Sequence, residues 1–230
     1  MISVILWDVD GTLLDFKAAE SAAIKSLFSE LSLGECTDEM VARYSKINDS
    51  YWKRLEKNEI TRQQVLIGRF QEFFAEQKID VSIAQDFNEK YQQRLGDFVF
   101  YCDDSLSIVK QLRGHVKQYV VSNGTTQAQT RKLRLSGLGE LMDGIFLSEA
   151  LGVDKPNAAF FDKVFDSIDP VEKSEVLIIG DSLSSDILGG INAGILTSWY
   201  NPSNKPIPET PKPDFMVSDL HEIIPLLQNI

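Results

Sequence analysis

The sequence predicts an α/β protein: a parallel sheet wrapped by helices, with an α-helical domain inserted after the first strand. Three observations point there. Short apolar runs rich in β-branched residues recur along the chain with little alternation, as expected for strands covered on both faces. Stretches of helical character separate them, and strand alternating with helix implies parallel pairing. One interval breaks the rhythm: from Phe16 to Gly96 there is no convincing strand, and Val65, Leu66, Phe70, Phe73 and Phe74 recur at helical spacing.

Taken in order, the first strand runs from Ser3 to Trp7 and ends in "DVDGT". The insertion follows, about 80 residues long where an ordinary crossover needs about a dozen. Residues 1-15 and 97-230 are therefore read as the core, and residues 16-96 as a second, helical domain. Its departure just after the first strand places it over the carboxyl ends of the strands, where open α/β sheets bind ligands, as a lid. The next strands are read at Gln118 to Val121, Gly144 to Ser148, Glu175 to Gly180, Gly194 to Tyr200 and, weakly, Phe215 to Val217. Helices are expected at Thr126 to Leu135, Ala158 to Ser167, and Ser184 to Ala193, the last closed by Gly194. Asn201 to Pro213 holds five of the eight prolines and is expected to be irregular.

At 230 residues and 43% hydrophobic, the chain can bury a full core. Its formal charge of −11 disfavours nucleic-acid polymers and anionic membranes as partners. Cys36 and Cys102 match no metal-ligand spacing and are read as reduced packing residues. The chain enters its first strand with no basic and apolar leader and has no apolar run of spanning length, so a cytoplasmic protein is expected.

The candidate chemistry sits at strand ends. Asp8 and Asp10 share a side if the period of two persists, with Val9 turned away. "SNG" follows the second strand, "VDKPN" follows the third, and "GDSLSSD" follows the fourth. In a parallel sheet these ends lie on one edge, so Ser122, Asn123, Lys155, Asp181 and Asp186 can converge on Asp8 and Asp10. Each has a plainer reading: turn residues in "DVDGT" and "SNG", a solvated lysine, helix caps at Asp181 and Ser182. Their ordered coincidence favours a site.

The order "DVDGT", "VVSNG", "DKPN", "GDSLSSD", with a helical insertion after the first, resembles the haloacid dehalogenase superfamily of phosphohydrolases, which have a Rossmann-like core and a helical cap. "ITRQQVLIGRF", "SEALGVDKPN" and "SDILGGINAG" extend the resemblance to its pyrimidine 5′-nucleotidases that act on unusual or modified nucleotides. The resemblance implies Asp8 as a nucleophile that forms an aspartyl-phosphate, and Asp10 as the acid and base that serves the leaving group and then water. It implies Mg²⁺ held by Asp8, the backbone carbonyl of Asp10 and Asp181, with Asp186 in support, a donor set of hard oxygens. Ser122 and the backbone around Asn123 would bind phosphate oxygens, and Lys155 would supply positive charge beside Asp8. Dehalogenating members lack the second aspartate, so Asp10 favours phosphate esters.

The implied substrate is a small phosphate monoester, a pyrimidine nucleoside 5′-monophosphate such as dUMP or dTMP. A sugar phosphate or phosphoglycolate would use the same chemistry, and a non-catalytic phospho-sensing module could use the same fold. Tyr51, Trp52, Arg69 and Phe70 either grip a base or pack the interior of the insertion. The run "RKLRL", Arg131 to Leu135, is read as a solvated helix face.

Overall fold

The computed structural model describes residues 1–229 and divides into two compact units, Met1–Asp15 with Val99–Ile230, and Phe16–Phe98. The first unit is built on six strands: β1 Val4–Trp7, β2 Lys117–Ser122, β3 Gly144–Leu147, β4 Val176–Gly180, β5 Leu196–Tyr200 and β6 Phe215–Val217. All pairings are parallel, in the order β3-β2-β1-β4-β5-β6. The chain adds β2 and β3 on one side of β1 and then crosses to place β4 on the other. The crevice at the carboxyl ends of β1 and β4 is thus the point where strand order reverses, the usual ligand position in such sheets.

The strands read as unbroken apolar runs because both faces are covered. On one face Ile5, Trp7, Val9, Val120, Leu177 and Ile179 are buried in a single cluster with residues of helices on that side. On the other, Val4, Leu6, Val121 and Ile178 join Phe160, Phe161 and Val164. Trp7 is fully buried, and its indole N–H donates to Gln118 Oε1 at 3.0 Å while Gln118 Nε2 donates to the Val109 carbonyl, so these buried polar groups are paired.

The ten helices of the described residues are α1 Phe16–Glu30, α2 Asp38–Glu56, α3 Arg62–Gln77, α4 Ala84–Asp97, α5 Ser105–Leu112, α6 Thr126–Ser136, α7 Ser148–Leu151, α8 Ala158–Phe165, α9 Leu188–Ala193 and α10 Ile223–Gln228. The helix expected from Ser184 begins instead as one π-helical turn, Leu183–Ile187, in which the Ile187 N–H reaches the Ser182 carbonyl, before tightening into α9. The run from Gly194 pairs only from Leu196, because Gly194 closes α9 in the left-handed region at φ 74°. The proline-rich stretch contains neither helix nor strand. No helix among the described residues is long and apolar enough to cross a membrane. Cys36 and Cys102 are half-buried and form no disulfide.

The second unit is α1 to α4 around an aromatic interior. Phe28, Tyr44, Phe70, Phe73, Phe74, Phe87 and Tyr91 are all buried, with Tyr44 stacked on Phe70 at 5.0 Å and Phe74 edge-on to Phe87 at 5.0 Å. Arg69 lies inside this cluster. Its guanidinium donates to Asn48 Oδ1 at 2.7 Å and Asn88 Oδ1 at 3.0 Å and rests over the Phe70 and Tyr91 rings. Asn48 in turn donates to the buried Glu20. Arg69 and Phe70 therefore pack this unit's own interior, the plainer of their two readings. Tyr51 and Trp52 are half-buried, beside Arg54 and Arg62 respectively.

Replacing Arg69 with Met is expected to destabilise the protein by about 1–3 kcal/mol for each buried acceptor left unpaired. The measurement is the urea midpoint; an unchanged midpoint would mean that the apolar replacement satisfies the cavity as well as the cation does.

Candidate active site

Asp8 follows β1 directly, and its backbone N–H continues the ladder to the Ile179 carbonyl at 3.0 Å. Val9 is fully buried in the cluster that holds Ile5 and Trp7, which leaves Asp8 and Asp10 on the opposite side, as the period of two predicts. The chain then turns: Leu14 N–H returns to the Val9 carbonyl, and Gly11 takes φ 92°. A Cβ at Gly11 would lie 2.7 Å from Asp181 Oδ2, so only glycine admits Asp181 beside this loop.

The buried centre is Lys155. Its ammonium donates to Asp8 Oδ1 at 2.9 Å, Asp186 Oδ1 at 2.7 Å and the Val121 carbonyl at 2.7 Å, and the residue is wholly inaccessible to solvent. Burial alone would lower its pKa, but Asp186 and Asp8 raise it above the usual lysine value and hold it charged. Asn123 positions it: the Asn123 amide accepts from Lys155 N–H and donates to the Lys155 carbonyl, both at 2.9 Å. The Asn123 side chain thus engages the Lys155 peptide.

Asp186 is carried in by the π-helical turn, where Oδ2 accepts from the Ser182 N–H at 3.1 Å. A Cβ on Gly180, the last residue of β4, would overlap the Asp186 carboxyl, so the strand must end in glycine for Asp186 to reach Lys155. Thr12, also fully buried, donates to Asp8 Oδ2 at 3.1 Å and accepts from the Asp181 N–H at 3.1 Å. The Trp199 indole holds the Asp181 carbonyl at 2.9 Å. Ser122, at the end of β2, accepts from the Gly124 N–H at 3.1 Å.

Asp10 is the more accessible carboxylate of the first loop. Lys132 Nζ and Gln129 Nε2, both from α6, bond its two oxygens. This corrects the reading of "RKLRL" as a solvated face: Lys132 and Leu133 are buried, and only Arg134 and Leu135 are exposed. Gln129, Lys132 and Thr12 are the residues sequence reasoning missed. A signal was present, because Gln129, Lys132 and Ser136 recur at helical spacing on the buried face of a helix that begins at the sheet's carboxyl edge.

Oxygens of Asp8, Asp181 and Asp186 lie within 4.8 Å of one another. Burial, then the charge of Asp186, pushes the Asp8 carboxyl up to about 7 against the counteraction of Lys155. Asp181 is raised well above the usual aspartate value by desolvation of its carboxyl and then by the charges of Asp8 and Asp186. Four carboxylates, Asp8, Asp10, Asp181 and Asp186, face two ammonium groups, Lys132 and Lys155, so the site carries a deficit of positive charge. Hard oxygen donors, close together and short of positive charge, fit a divalent cation such as Mg²⁺.

A parallel sheet with a reversal beside β1 thus gathers carboxylates and a buried lysine in one strand-end crevice, a candidate active site. The model of the haloacid dehalogenase-like hydrolases matches residues 2–194, and the chain belongs to this family. It is an enzyme, a phosphoric monoester hydrolase. It is 33% identical to the pyrimidine 5′-nucleotidase PynA of Streptococcus pneumoniae over 225 residues, 97% of this chain and 94% of that one. It is likewise 33% identical to the pyrimidine 5′-nucleotidase YjjG of Escherichia coli, covering 97% of this chain and 96% of the relative. The crystal structure of the HAD-hydrolase YfnB from Bacillus subtilis, bound to magnesium and described as revealing interdomain movement, superposes with a TM-score of 0.93 at 34% identity, covering 100% of this chain and 99% of YfnB.

Gly180→Ala is expected to force the Asp186 carboxyl away from Lys155 and to destabilise the protein by about 1–3 kcal/mol, the usual range for overpacking. Urea denaturation reads it; parent-like stability would mean that Asp186 can move aside freely.

Proposed function

We propose that the protein is a Mg²⁺-dependent phosphatase of nucleoside 5′-monophosphates, with pyrimidine nucleotides as its preferred class, acting through an aspartyl-phosphate on Asp8. The observation that carries the chemistry is Asp8 buried between the Lys155 ammonium and the other carboxylates. What supports the substrate class is the near full-length similarity to PynA and YjjG.

In this reading Asp8 attacks phosphorus while the bond from phosphorus to the ester oxygen breaks, and Asp10 gives its proton to the departing alkoxide. Asp10, now ionised, takes a proton from water. The resulting hydroxide oxygen bonds to phosphorus, the acyl-phosphate bond breaks, and orthophosphate and the Asp8 carboxylate are regenerated. Lys155 favours the ionised form of Asp8 against burial and the charge of Asp186 and holds its carboxylate in place, and Ser122, with the N–H groups around Asn123, donates to phosphate oxygens. Mg²⁺ held by Asp8, the Asp10 carbonyl and Asp181, with Asp186 in support, would supply the positive charge that lets an anionic carboxylate meet an anionic phosphate. We assign substrate selection to the helical unit, which joins the core next to the site loop in sequence. The movement described for YfnB supports a lid role for it.

A panel of nucleoside monophosphates and small sugar phosphates, assayed with Mg²⁺ and with chelator, tests the reading. Turnover of dUMP or dTMP should exceed that of purine nucleotides and sugar phosphates, vanish with chelator, and fall by about 10⁴-fold or more in Asp8→Asn. A sugar phosphate as best substrate would keep the mechanism and reassign the substrate, whereas Asp8→Asn with parental rates would end the mechanistic proposal.

The charge deficit gives a second prediction. Without a cation the folded protein retains a proton on Asp8 that the unfolded chain releases, so this group's stability contribution is present in acid and is lost as pH rises from about 4 to about 7. The raised Asp181 acts in the same direction. Mg²⁺ competes with those protons, so it should raise Tm near pH 8 and leave it unchanged near about pH 4.5. Equal shifts at both pH values would show that the ion binds elsewhere.

A further inference from the structure

The contacts of α6 with Asp10 differ in kind from the rest of the site. Lys132 and Gln129 stand three residues apart on one face of the helix, and each is about 99% buried, at 1% relative exposure. Their polar ends project past the apolar residues of that helix to the Asp10 carboxylate, one to each oxygen. A buried ammonium is costly unless it meets a hydrogen-bonded anion, and here it meets the one carboxylate of the first loop that Lys155 does not bond. Room for this is built into the preceding turn, since a Cβ on Gly124 would collide with the Gln129 amide.

We propose that Gln129 and Lys132 are positioning residues for the proton carrier of the reaction. Engaged at both oxygens, the Asp10 carboxyl cannot rotate freely about its side-chain bonds. Each oxygen still keeps a second lone-pair direction, on which a proton can be carried to the leaving oxygen or taken from water. The orientation is thus set before substrate arrives, by a helix that itself begins at the phosphate-binding turn after β2. The inference rests on the assignment of Asp10 as acid and base in the proposed mechanism.

Leaving-group dependence separates positioning from a merely structural ion pair. An alkyl phosphate, such as the best nucleotide of the panel, needs a proton delivered to its leaving oxygen; p-nitrophenyl phosphate departs as a stable aryloxide and does not. Single-turnover release of the first product should slow in Lys132→Met by about 10- to 100-fold with the alkyl phosphate, a share of the roughly 10²–10⁴ that a positioned acid supplies, and by less than about twofold with p-nitrophenyl phosphate. Lys132→Arg should recover most of the lost rate. Gln129→Leu should shift the two substrates in the same sense, and it carries the test if Lys132→Met does not fold. Equal slowing of both substrates, or none with either, in folded variants of both positions would overturn the inference. Asp10→Asn is the reference: if it too spares the alkyl phosphate, the assignment of Asp10 fails, and if it alone slows that substrate, only the role of Gln129 and Lys132 fails.

Discussion

The site is organised around one buried cation. The Lys155 ammonium has three donors, and three segments distant in sequence present an acceptor to it: Asp8 after β1, the Val121 carbonyl in β2, and Asp186 before α9. An unpaired ammonium at that depth would cost several kcal/mol, so the strand ends must converge for the core to close over it. Asn123 adds a fourth attachment by gripping the Lys155 peptide from the β2 turn. Convergence at one edge, which parallel topology makes possible, is here enforced by hydrogen-bond demand.

The same lysine allows carboxylates to accumulate. Asp8 and Asp186 could not lie so close without a cation between them, and Thr12 brings the Asp181 backbone to Asp8 through one shared hydroxyl. Compensation stays incomplete, because two ammonium groups face four carboxylates. A site left in that state fits a divalent cation, whose charge would offset the surplus of carboxylates. The helical unit contrasts with this. Its aromatic residues stack on one another and its buried arginine bonds Asn48 and Asn88 within the unit.

Much of this was legible in the sequence, for physical reasons. Strands buried on both faces write themselves as apolar runs, and a parallel sheet puts the residues that follow those runs on one edge, so Asp8, Ser122, Lys155, Asp181 and Asp186 could be placed together before any contact was known. The residues that escaped notice are those whose role depends on which way a helix faces. Lys132 sits in "RKLRL", whose composition is that of a solvated face, and only the docking of α6 turns it inward. Arg69 was legible only as a choice: a guanidinium next to a phenylalanine reads as a ligand contact or as packing, and its bonds to Asn48 and Asn88 inside the helical unit select packing. The π-helical turn before α9 was equally hidden, because a single residue of helical slack leaves no mark on apolar spacing.

Three glycines, Gly11, Gly124 and Gly180, stand where a functional side chain occupies the space of a missing methyl: Asp181, Gln129 and Asp186 in turn. The site is therefore specified as much by absent atoms as by charged ones. Exchanging one of these glycines in this chain for a larger residue would leave every acid and lysine in the sequence while pressing on the side chain that fills the gap. In this chain, three residues with no chemistry of their own are as much a part of the site as the side chains they make room for.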